Sequence, residues 1–258
     1  MGLYAIASAK GSPGASLAAM ALATTWRTDP VVADLDPAGG DFAWRYRSPD
    51  DEPLDPDRGL LSLGAAARRG AAEADLDDHL QEIGGGVLVL TGISSPGQVA
   101  GLGASWGHLP TVFRGSGRDV IADCGRIVPG SASLSVLLAA DAVLMVVRPT
   151  IEGVAHLRDR LRGLAGQLRL GSLDGVPVGI ALVASYRDTR SGPDLQQLLD
   201  SEGLPAQVLG VLAEEPRSAL ALSRGGSPKL RKSLLVRSAA EIGSRLVGLA
   251  ETRSAHAS

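Results

Sequence analysis

Residues 10–16 constrain this chain more than any other segment, because their letters, K-G-S-P-G-A-S, follow the pattern of a phosphate-binding loop. Such a loop uses glycines so that backbone N–H groups can curl around phosphate oxygens. It also uses a lysine to reach the terminal phosphates and a Ser or Thr hydroxyl to bind Mg²⁺. Gly11, Gly14 and Ser16 meet these needs, but Ala15 stands where the lysine belongs. The sequence therefore predicts a phosphate site that lacks one of its cations.

The residues on either side of the loop predict a strand before it and a helix after it. Residues 3–7 form an apolar run, and residues 17–25 are helix-prone. A strand that leads through a glycine-rich loop into a helix places phosphate at the helix N-terminus. The context of the loop thus fits its motif.

Two further predicted strands end in carboxylates. The apolar residues 31–33 lead into Asp34 and Asp36, and the apolar residues 120–122 lead into Asp123. In a doubly wound sheet, the carboxyl ends of adjacent strands converge on the crevice where the loop holds its ligand. These three carboxylates are therefore predicted to share one site for Mg²⁺ and phosphate.

Apolar runs without polar alternation recur along the chain, as in strands that are covered on both faces. They lie at residues 3–7, 31–33, 87–90, 120–122, 142–147, 178–183 and 208–212, with helical patterns between them. This alternation predicts an α/β fold with a doubly wound, mainly parallel sheet of about seven strands and helices on both faces. We expect a single domain over residues 1–251 and a frayed tail over 252–258.

The composition limits which residues can fill the core and indicates the cellular environment of the protein. Hydrophobic residues make up 45% of the chain but aromatic residues only 3%, so Ala, Val and Leu must fill the core. The single cysteine, Cys124, excludes an intramolecular disulfide, and we interpret it as a small core hydrophobe in a reducing cytoplasm. No secretion signal precedes Leu3, and no apolar run approaches the ~18 residues of a spanning helix. We expect a cytoplasmic protein without a transmembrane segment.

The charge balance limits electrostatic binding to local patches. There are 25 Lys and Arg against 28 Asp and Glu, a net charge of −3, which excludes a global attraction to nucleic acid or anionic lipid. One local patch is a basic segment before the last predicted helix, which we interpret as a solvated face, a partner-docking surface or a DNA contact. It comprises Arg224, Lys229, Arg231, Lys232 and Arg237.

The last predicted helix, residues 233–251, is amphipathic. Its apolar face lacks the Trp and Phe anchors and the dense basic border of a helix that lies in a membrane interface. We therefore predict that this face packs on the core. It consists of Leu235, Ala239, Ile242, Leu246 and Leu249.

Taken in order, the loop, the D-L-D-P segment at residues 34–37 and the apolar run that ends in Asp123 resemble the ParA/MinD family of deviant P-loop ATPases, of the SIMIBI class. The family's loop reads K-G-G-x-G-K-[ST]. The resemblance extends over most of the chain, since residues 209–212 and 219–226 match the family's adenine-side strand and loop. Within the family the chain is more similar to TadZ/CpaE-type and actinobacterial MinD-like proteins with degenerate loops. That finer likeness depends on residues 123–126, 146–150 and 230–237.

The resemblance implies a role for each site residue. Lys10 matches the signature lysine, which reaches the partner's phosphates across a homodimer, and Asp36 matches the water-orienting carboxylate, so these two are the implied catalytic residues. Ser16, Asp34 and Asp123 are the implied Mg²⁺ residues. The implied contacts to ATP or ADP come from Lys10, Gly11, Ser12, Pro13, Gly14, Ala15, Ser16 and Leu17.

The alanine at position 15 is expected to weaken nucleotide binding less than it slows ATP hydrolysis. A charge-assisted contact is worth about 1.5–3 kcal/mol, so its loss weakens nucleotide binding roughly ten- to hundredfold. Hydrolysis suffers more, because the lysine neutralises charge that develops on the phosphoryl oxygens. Lys10 or Arg126 could substitute for it, while Ser16 has the alternative interpretation of a plain helix N-cap.

Other departures from the family affect the loop and the base. Ser12 replaces a glycine and Leu17 replaces a second Thr, while Pro13 falls at a variable position. On the adenine side, residues 184–187 read A-S-Y-R where an Asn is usual, and Ala213 takes the place of a proline. The sequence assigns no base selectivity.

Three functions share this fold. The first is a scaffold or spatial regulator that works as a dimer, positions pilus, secretion or septum machinery, and hydrolyses ATP weakly or not at all. The second is an active ATPase of chromosome partitioning or division-site selection. The third is a DNA-associated protein without nucleotide control. The resemblance also implies weak nonspecific contact with DNA, or peripheral contact with the inner face of the cell membrane.

Overall fold

The computed structural model describes residues 1–10, 13–224 and 228–257. Within them, eight strands form one sheet in the order β3-β4-β2-β5-β1-β6-β7-β8, and every neighbouring pair is parallel except β3 and β4. The strands are β1 Leu3–Ser8, β2 Val31–Asp34, β3 Gln81–Ile83, β4 Val87–Leu90, β5 Val120–Arg126, β6 Ala142–Val147, β7 Val178–Ala184 and β8 Ala206–Ala213.

All seven predicted strands are present, and the sheet has one strand more than expected. The additional strand, β3, is a three-residue antiparallel edge strand that pairs with β4. The turn between the two strands consists of three glycines, of which Gly85 and Gly86 have φ values of 94° and 82°. A strand this short has no periodicity to detect, so only its pairing with β4 reveals it.

Helices cover both faces of the sheet, as predicted. Along β1, Leu3, Ala5 and Ala7 enter one core, and Tyr4 and Ile6 enter the core on the opposite face. The helices are α1 Ala15–Ala23, α2 Phe42–Arg45, α3 Leu60–Ala67, α4 Gly97–Leu102, α5 Leu109–Gly115, α6 Leu134–Ala139, α7 Ile151–Leu168, α8 Ser191–Ser201, α9 Pro216–Leu222 and α10 Leu234–Ala257.

The strand order creates a crevice at the carboxyl edge of the sheet. Strands β2, β3, β4 and β5 all lie on one side of β1 in the sheet. Strands β6, β7 and β8 lie on its other side. The connections after β1 and β5 therefore leave the sheet in opposite directions. Such a reversal opens the crevice in which doubly wound proteins bind their ligands.

The last helix, α10, packs on the core as the sequence predicted. Leu235, Ala239, Ile242 and Leu246 are buried in the same core as α1, and Leu249 is partly buried against it. Among the described residues, no helix has both the length and the apolar character that crossing a membrane requires.

Helix α10 also continues beyond the point where the frayed tail was predicted to begin. It runs to Ala257. Residues 252–257 contain neither Gly nor Pro, and Thr252 Oγ1 donates a hydrogen bond to the Gly248 carbonyl at 2.9 Å. Arg253 Nη1 donates to the Ala140 carbonyl at 2.8 Å, which ties this end of the helix to the amino edge of the sheet.

Candidate functional site

The loop after β1 leads into α1 through a glycine in a left-handed conformation. Gly14 is the N-cap of α1 and has a φ of 107°, which a residue with a side chain rarely adopts. Among the described residues, no side chain caps this helix, and its first turn holds no acidic residue. The N–H groups at this end are thus left for another acceptor, and an anion suits them.

The predicted loop residues differ in exposure. Lys10 is exposed, Pro13 and Ala15 are buried, and Ser16 and Leu17 are half-buried in the first turn of α1. Gly14 rather than Ser16 is the N-cap, so the interpretation of Ser16 as a plain N-cap is wrong. Two predicted contacts, Gly11 and Ser12, lie outside the described residues.

Asp34 and Asp123 come together at the centre of the crevice. They are register partners on the adjacent parallel strands β2 and β5, and both side chains are buried. Burial raises the pKa of Asp34 well above its ordinary value, and the charge of Asp123 raises it further, against the hydrogen bonds from the Phe42 and Asp36 N–H groups. Two buried carboxyls on neighbouring strands oppose each other's ionisation, so a cation between them would stabilise both.

Glycines make room for the Asp34 carboxyl. A Cβ atom on Gly40 would lie 2.2 Å from Asp34 Oδ2, and one on Gly92 would lie 2.9 Å from its Cγ. Backbone N–H groups hold the same carboxyl, since Phe42 donates to Oδ2 at 3.3 Å and Asp36 donates to Oδ1 at 3.5 Å. Asp34 is therefore fixed by close backbone packing.

Asp123 has one oxygen without a partner. Its Oδ1 accepts a hydrogen bond from the Gly125 N–H at 3.1 Å, whereas its buried Oδ2 accepts none from the part of the chain that the structure describes. Burial raises the pKa of Asp123 to about 6, although the nearby Ser16 hydroxyl and the hydrogen bond from the Gly125 N–H favour the charged form. Ser16 and Asp123, which the sequence predicted as Mg²⁺ residues, are thus neighbours.

Asp36 lies beside the same strand end. A Cβ atom on Gly125 would come within 2.2 Å of Asp36 Cγ, so the carboxyl of Asp36 packs directly on the backbone of β5. Its Oδ1 accepts a hydrogen bond from the Ala38 N–H at 2.8 Å. Burial raises its pKa, and the charge of Asp41 adds to this shift. The three predicted carboxylates therefore do meet at one place.

The residues present fit Mg²⁺ held together with phosphate. Among the described residues, no group of three or more His, Cys, Asp or Glu side chains is arranged to hold a metal ion by itself. Mg²⁺ commonly takes one or two protein oxygens, and substrate phosphates and water supply the rest. The Ser16 hydroxyl and the unpaired oxygen of Asp123 are the groups that would hold it, and a bound Mg²⁺ would neutralise phosphate charge.

Lys10 and Arg126 do not join the carboxylates. The charge of Lys10 acts on Glu152 at the start of α7, whose pKa is lowered first by a backbone N–H and the Thr150 side chain. Arg126 is exposed at the end of β5 and forms no ion pair with the part of the chain that the structure describes. Cys124, in contrast, is buried in the core, as predicted, and burial raises the pKa of its thiol.

The sequence missed the contribution of α2. This four-residue helix follows Gly40 and brings Phe42, Arg45 and Tyr46 to the crevice. Burial raises the pKa of Tyr46 to about 12; the charge of Arg45 opposes this rise, and the charges of Asp123 and Asp34 add to it. The only sequence signal was Asp41 and Arg45 at helical i, i+4 spacing, which is too common to indicate a site.

The basic segment is exposed where the structure describes it. Arg224, Arg231, Lys232 and Arg237 all point to solvent, while the side chain of Lys229 lies outside the described residues. On the adenine side, Tyr186 is exposed after β7, and Ala213 at the end of β8 donates its N–H to Ser238 Oγ at 3.0 Å.

Comparison with known proteins gives structural matches only. No family model matches this chain. No curated protein matches it either. Among solved structures, a ParA family ATPase from Chlorobium tepidum matches with a TM-score of 0.73 and 15% identity, covering 95% of this chain and 99% of that one.

Two further structures match over similar lengths. The Pyrococcus furiosus cell division ATPase MinD has a TM-score of 0.71 and 17% identity over 96% of this chain and all of that one, 100%. A putative plasmid partition protein from Borrelia burgdorferi, bound to AMPPNP, has a TM-score of 0.68 and 16% identity over 95% and 97% of the two chains. This protein therefore has the fold of ParA- and MinD-type ATPases.

Proposed function

We propose that this protein is a nucleotide-binding spatial regulator of the ParA/MinD type, which binds ATP or ADP with Mg²⁺ and hydrolyses ATP slowly or not at all. In this proposal it acts in the cytoplasm as a homodimer and positions pilus, secretion or septum machinery through protein contacts, as TadZ/CpaE-like proteins do. Formation of the dimer, and not turnover, would carry the signal.

One observation supports nucleotide binding above all others. The buried pair of Asp34 and Asp123 keeps an unpaired carboxylate oxygen beside Ser16, at the uncapped start of α1. Mg²⁺ and phosphate together would neutralise the repulsion between the buried carboxyls and accept hydrogen bonds from the N–H groups at the start of α1. The fold neighbour from Borrelia burgdorferi, bound to AMPPNP, supports the same proposal.

Slow hydrolysis follows from the missing cation. Ala15 is buried and brings no charge to the loop. In this proposal Asp36 orients the attacking water, while Lys10 reaches the phosphates of the partner only in the dimer. Without a loop lysine the transition state for phosphoryl transfer is poorly stabilised.

Calorimetric titration with Mg-ATP and Mg-ADP tests the proposal, with wild type, Ala15→Lys and Asp123→Asn compared. We expect wild type to bind in the micromolar range, Ala15→Lys to bind roughly ten- to hundredfold more tightly, and Asp123→Asn to lose the Mg²⁺ dependence. If wild type binds neither nucleotide, the proposal is contradicted. Mg²⁺-dependent phosphate release that Asp36→Ala abolishes would instead favour the alternative, an active ATPase of chromosome partitioning or division-site selection.

A further inference from the structure

Helix α2 is fixed against the carboxylates of the crevice. The Phe42 N–H donates to Asp34 Oδ2 at 3.3 Å, and the absence of a side chain on Gly40 lets the segment approach that carboxyl. The buried rings of Phe42 and Tyr46 pack edge to face, with their centroids 5.4 Å apart. The position of the helix is therefore determined by buried contacts, although its outer side is open to solvent.

On that outer side an ion pair lies within electrostatic reach of the site. Arg45 Nη2 donates to Asp41 Oδ2 at 2.8 Å. The charge of Asp41 contributes to the raised pKa of Asp36, and the charge of Arg45 opposes the rise in the pKa of Asp123 that burial causes. Asp41 directly precedes Phe42, whose N–H donates to Asp34, and Arg45 lies one helical turn later, so the pair is carried by the helix that borders the crevice.

The ion pair between Asp41 and Arg45 is weak. The side chains of Arg45 and Asp41 are 38% and 63% exposed, and ion pairs this exposed contribute little to stability. A phosphate offers Arg two parallel hydrogen bonds and more charge than a carboxylate does. Exchange of Asp41 for a phosphate would therefore favour the bound state.

We propose that Arg45 is the cation that replaces the missing loop lysine within the same chain, by leaving Asp41 and binding the γ-phosphate of a bound nucleoside triphosphate. This inference rests on the proposed nucleotide binding and adds a residue to it. The γ-phosphate is chosen because α2, which carries Arg45, contacts Asp34 through the Phe42 N–H, and Asp34 is two residues from Asp36, the carboxylate assigned to the attacking water.

Binding of Mg-AMPPNP and Mg-ADP to wild type, Arg45→Ala and Arg47→Ala tests the inference by calorimetry. Arg47 is the matched control, because it is an exposed arginine two residues away. We expect Arg45→Ala to weaken Mg-AMPPNP binding about tenfold or more and Mg-ADP binding less than about threefold. Arg47→Ala should leave both affinities unchanged.

Two further variants separate a phosphate contact from a structural role. Asp41→Ala frees Arg45 and should tighten Mg-AMPPNP binding by about two- to fivefold, an outcome that mere loss of α2 structure would not produce. In an Ala15→Lys background, the effect of Arg45→Ala should shrink, because the restored lysine supplies the same charge. Circular dichroism verifies that each variant is folded.

The outcomes distinguish this inference from the proposed function. If wild type binds Mg-AMPPNP and Arg45→Ala binds it equally well, Arg45 has no such role, whereas the proposed function stands. An equal loss of Mg-AMPPNP and Mg-ADP binding would overturn the assignment to the γ-phosphate. If wild type binds neither nucleotide, the proposed function fails, and the inference about Arg45 fails with it.

Discussion

At the residue scale, the buried carboxyl of Asp123 predicts how stability depends on pH. Its folded-state pKa, about 6, is higher than the ordinary value of 3.8, so the folded state binds this proton more tightly than the unfolded state does. The stabilisation of the folded state by the protonated carboxyl is fully present below about pH 4 and is lost as the pH rises through about 6. Ionisation of this carboxyl should therefore lower the free energy of unfolding of wild type by about 1–3 kcal/mol at pH 7.5 relative to low pH.

Urea unfolding at pH 5.0 and pH 7.5, in EDTA and without nucleotide, measures this effect. We expect the free energy of unfolding of Asp123→Asn to exceed that of wild type at pH 7.5, because the amide has no proton to lose. At pH 5.0 the difference between the two proteins should be much smaller. If the two proteins keep the same difference at both pH values, the carboxyl is not held in its protonated form by burial.

Gly125 is the residue that lets Asp36 approach β5. Its φ is 60°, and an added Cβ would lie 2.2 Å from Asp36 Cγ. Gly130→Ala is the matched control, because Gly130 also has a positive φ, 83°, but no atom within 4 Å of an added Cβ. Backbone strain alone should cost each variant about 1–2 kcal/mol in the free energy of unfolding.

We expect Gly125→Ala to cost about 1–2 kcal/mol more than Gly130→Ala, because it must also displace Asp36. Only Gly125→Ala should weaken binding of Mg-ATP. Chemical denaturation and calorimetry check the two effects. Equal losses of stability in both variants would mean that Asp36 moves aside freely.

At the element scale, α10 is a structural helix, and its apolar face is not available to a membrane. Leu246 is fully buried in the core that also contains α1, whereas Leu234 at the start of the same helix is 39% exposed. Leu246→Ala should lower the free energy of unfolding by about 2–5 kcal/mol, and Leu234→Ala by less than about 1 kcal/mol. Denaturant titration measures both, and similar values for the two variants would mean that α10 does not pack as described.

The elements also show how far a single sequence could predict this fold. Runs such as residues 142–147 gave the strands and their parallel arrangement, because a strand covered on both faces needs uninterrupted apolar residues. Strand β3 and helix α2 were missed, since each holds only three or four residues and depends on tertiary contacts. A frayed tail was predicted at residues 252–258, but α10 runs to Ala257, and Arg253 donates a hydrogen bond to the Ala140 carbonyl.

At the scale of the whole molecule, exposed apolar side chains gather at the carboxyl edge of the sheet. Trp44 is 71% exposed beyond β2, Ile151 is 88% exposed beyond β6, and Tyr186 is 40% exposed beyond β7. They flank the crevice, where the proposed homodimer would bury them. Leu173, which is 73% exposed, lies in the loop before β7 at the opposite edge and serves as a control.

Light scattering coupled to size exclusion, with and without Mg-AMPPNP, tests this arrangement. We expect wild type to dimerise when the nucleotide is present, and Ile151→Asp to shift the dimerisation constant at least tenfold toward monomer because it buries a charge. Leu173→Asp should behave as wild type. If Leu173→Asp impairs the dimer and Ile151→Asp does not, the copies meet through the amino edge of the sheet.

The sequence by itself determined the fold class, the loop after β1 and the three carboxylates, because each of these depends on local patterns of residue type. Only the tertiary structure decided how those groups meet. The register of β2 with β5 sets Asp34 beside Asp123, and close packing of Gly125 brings Asp36 to them. It also placed α2, which carries Arg45, against Asp34. Distances between residues far apart in the chain depend on strand register and packing, which no local pattern encodes.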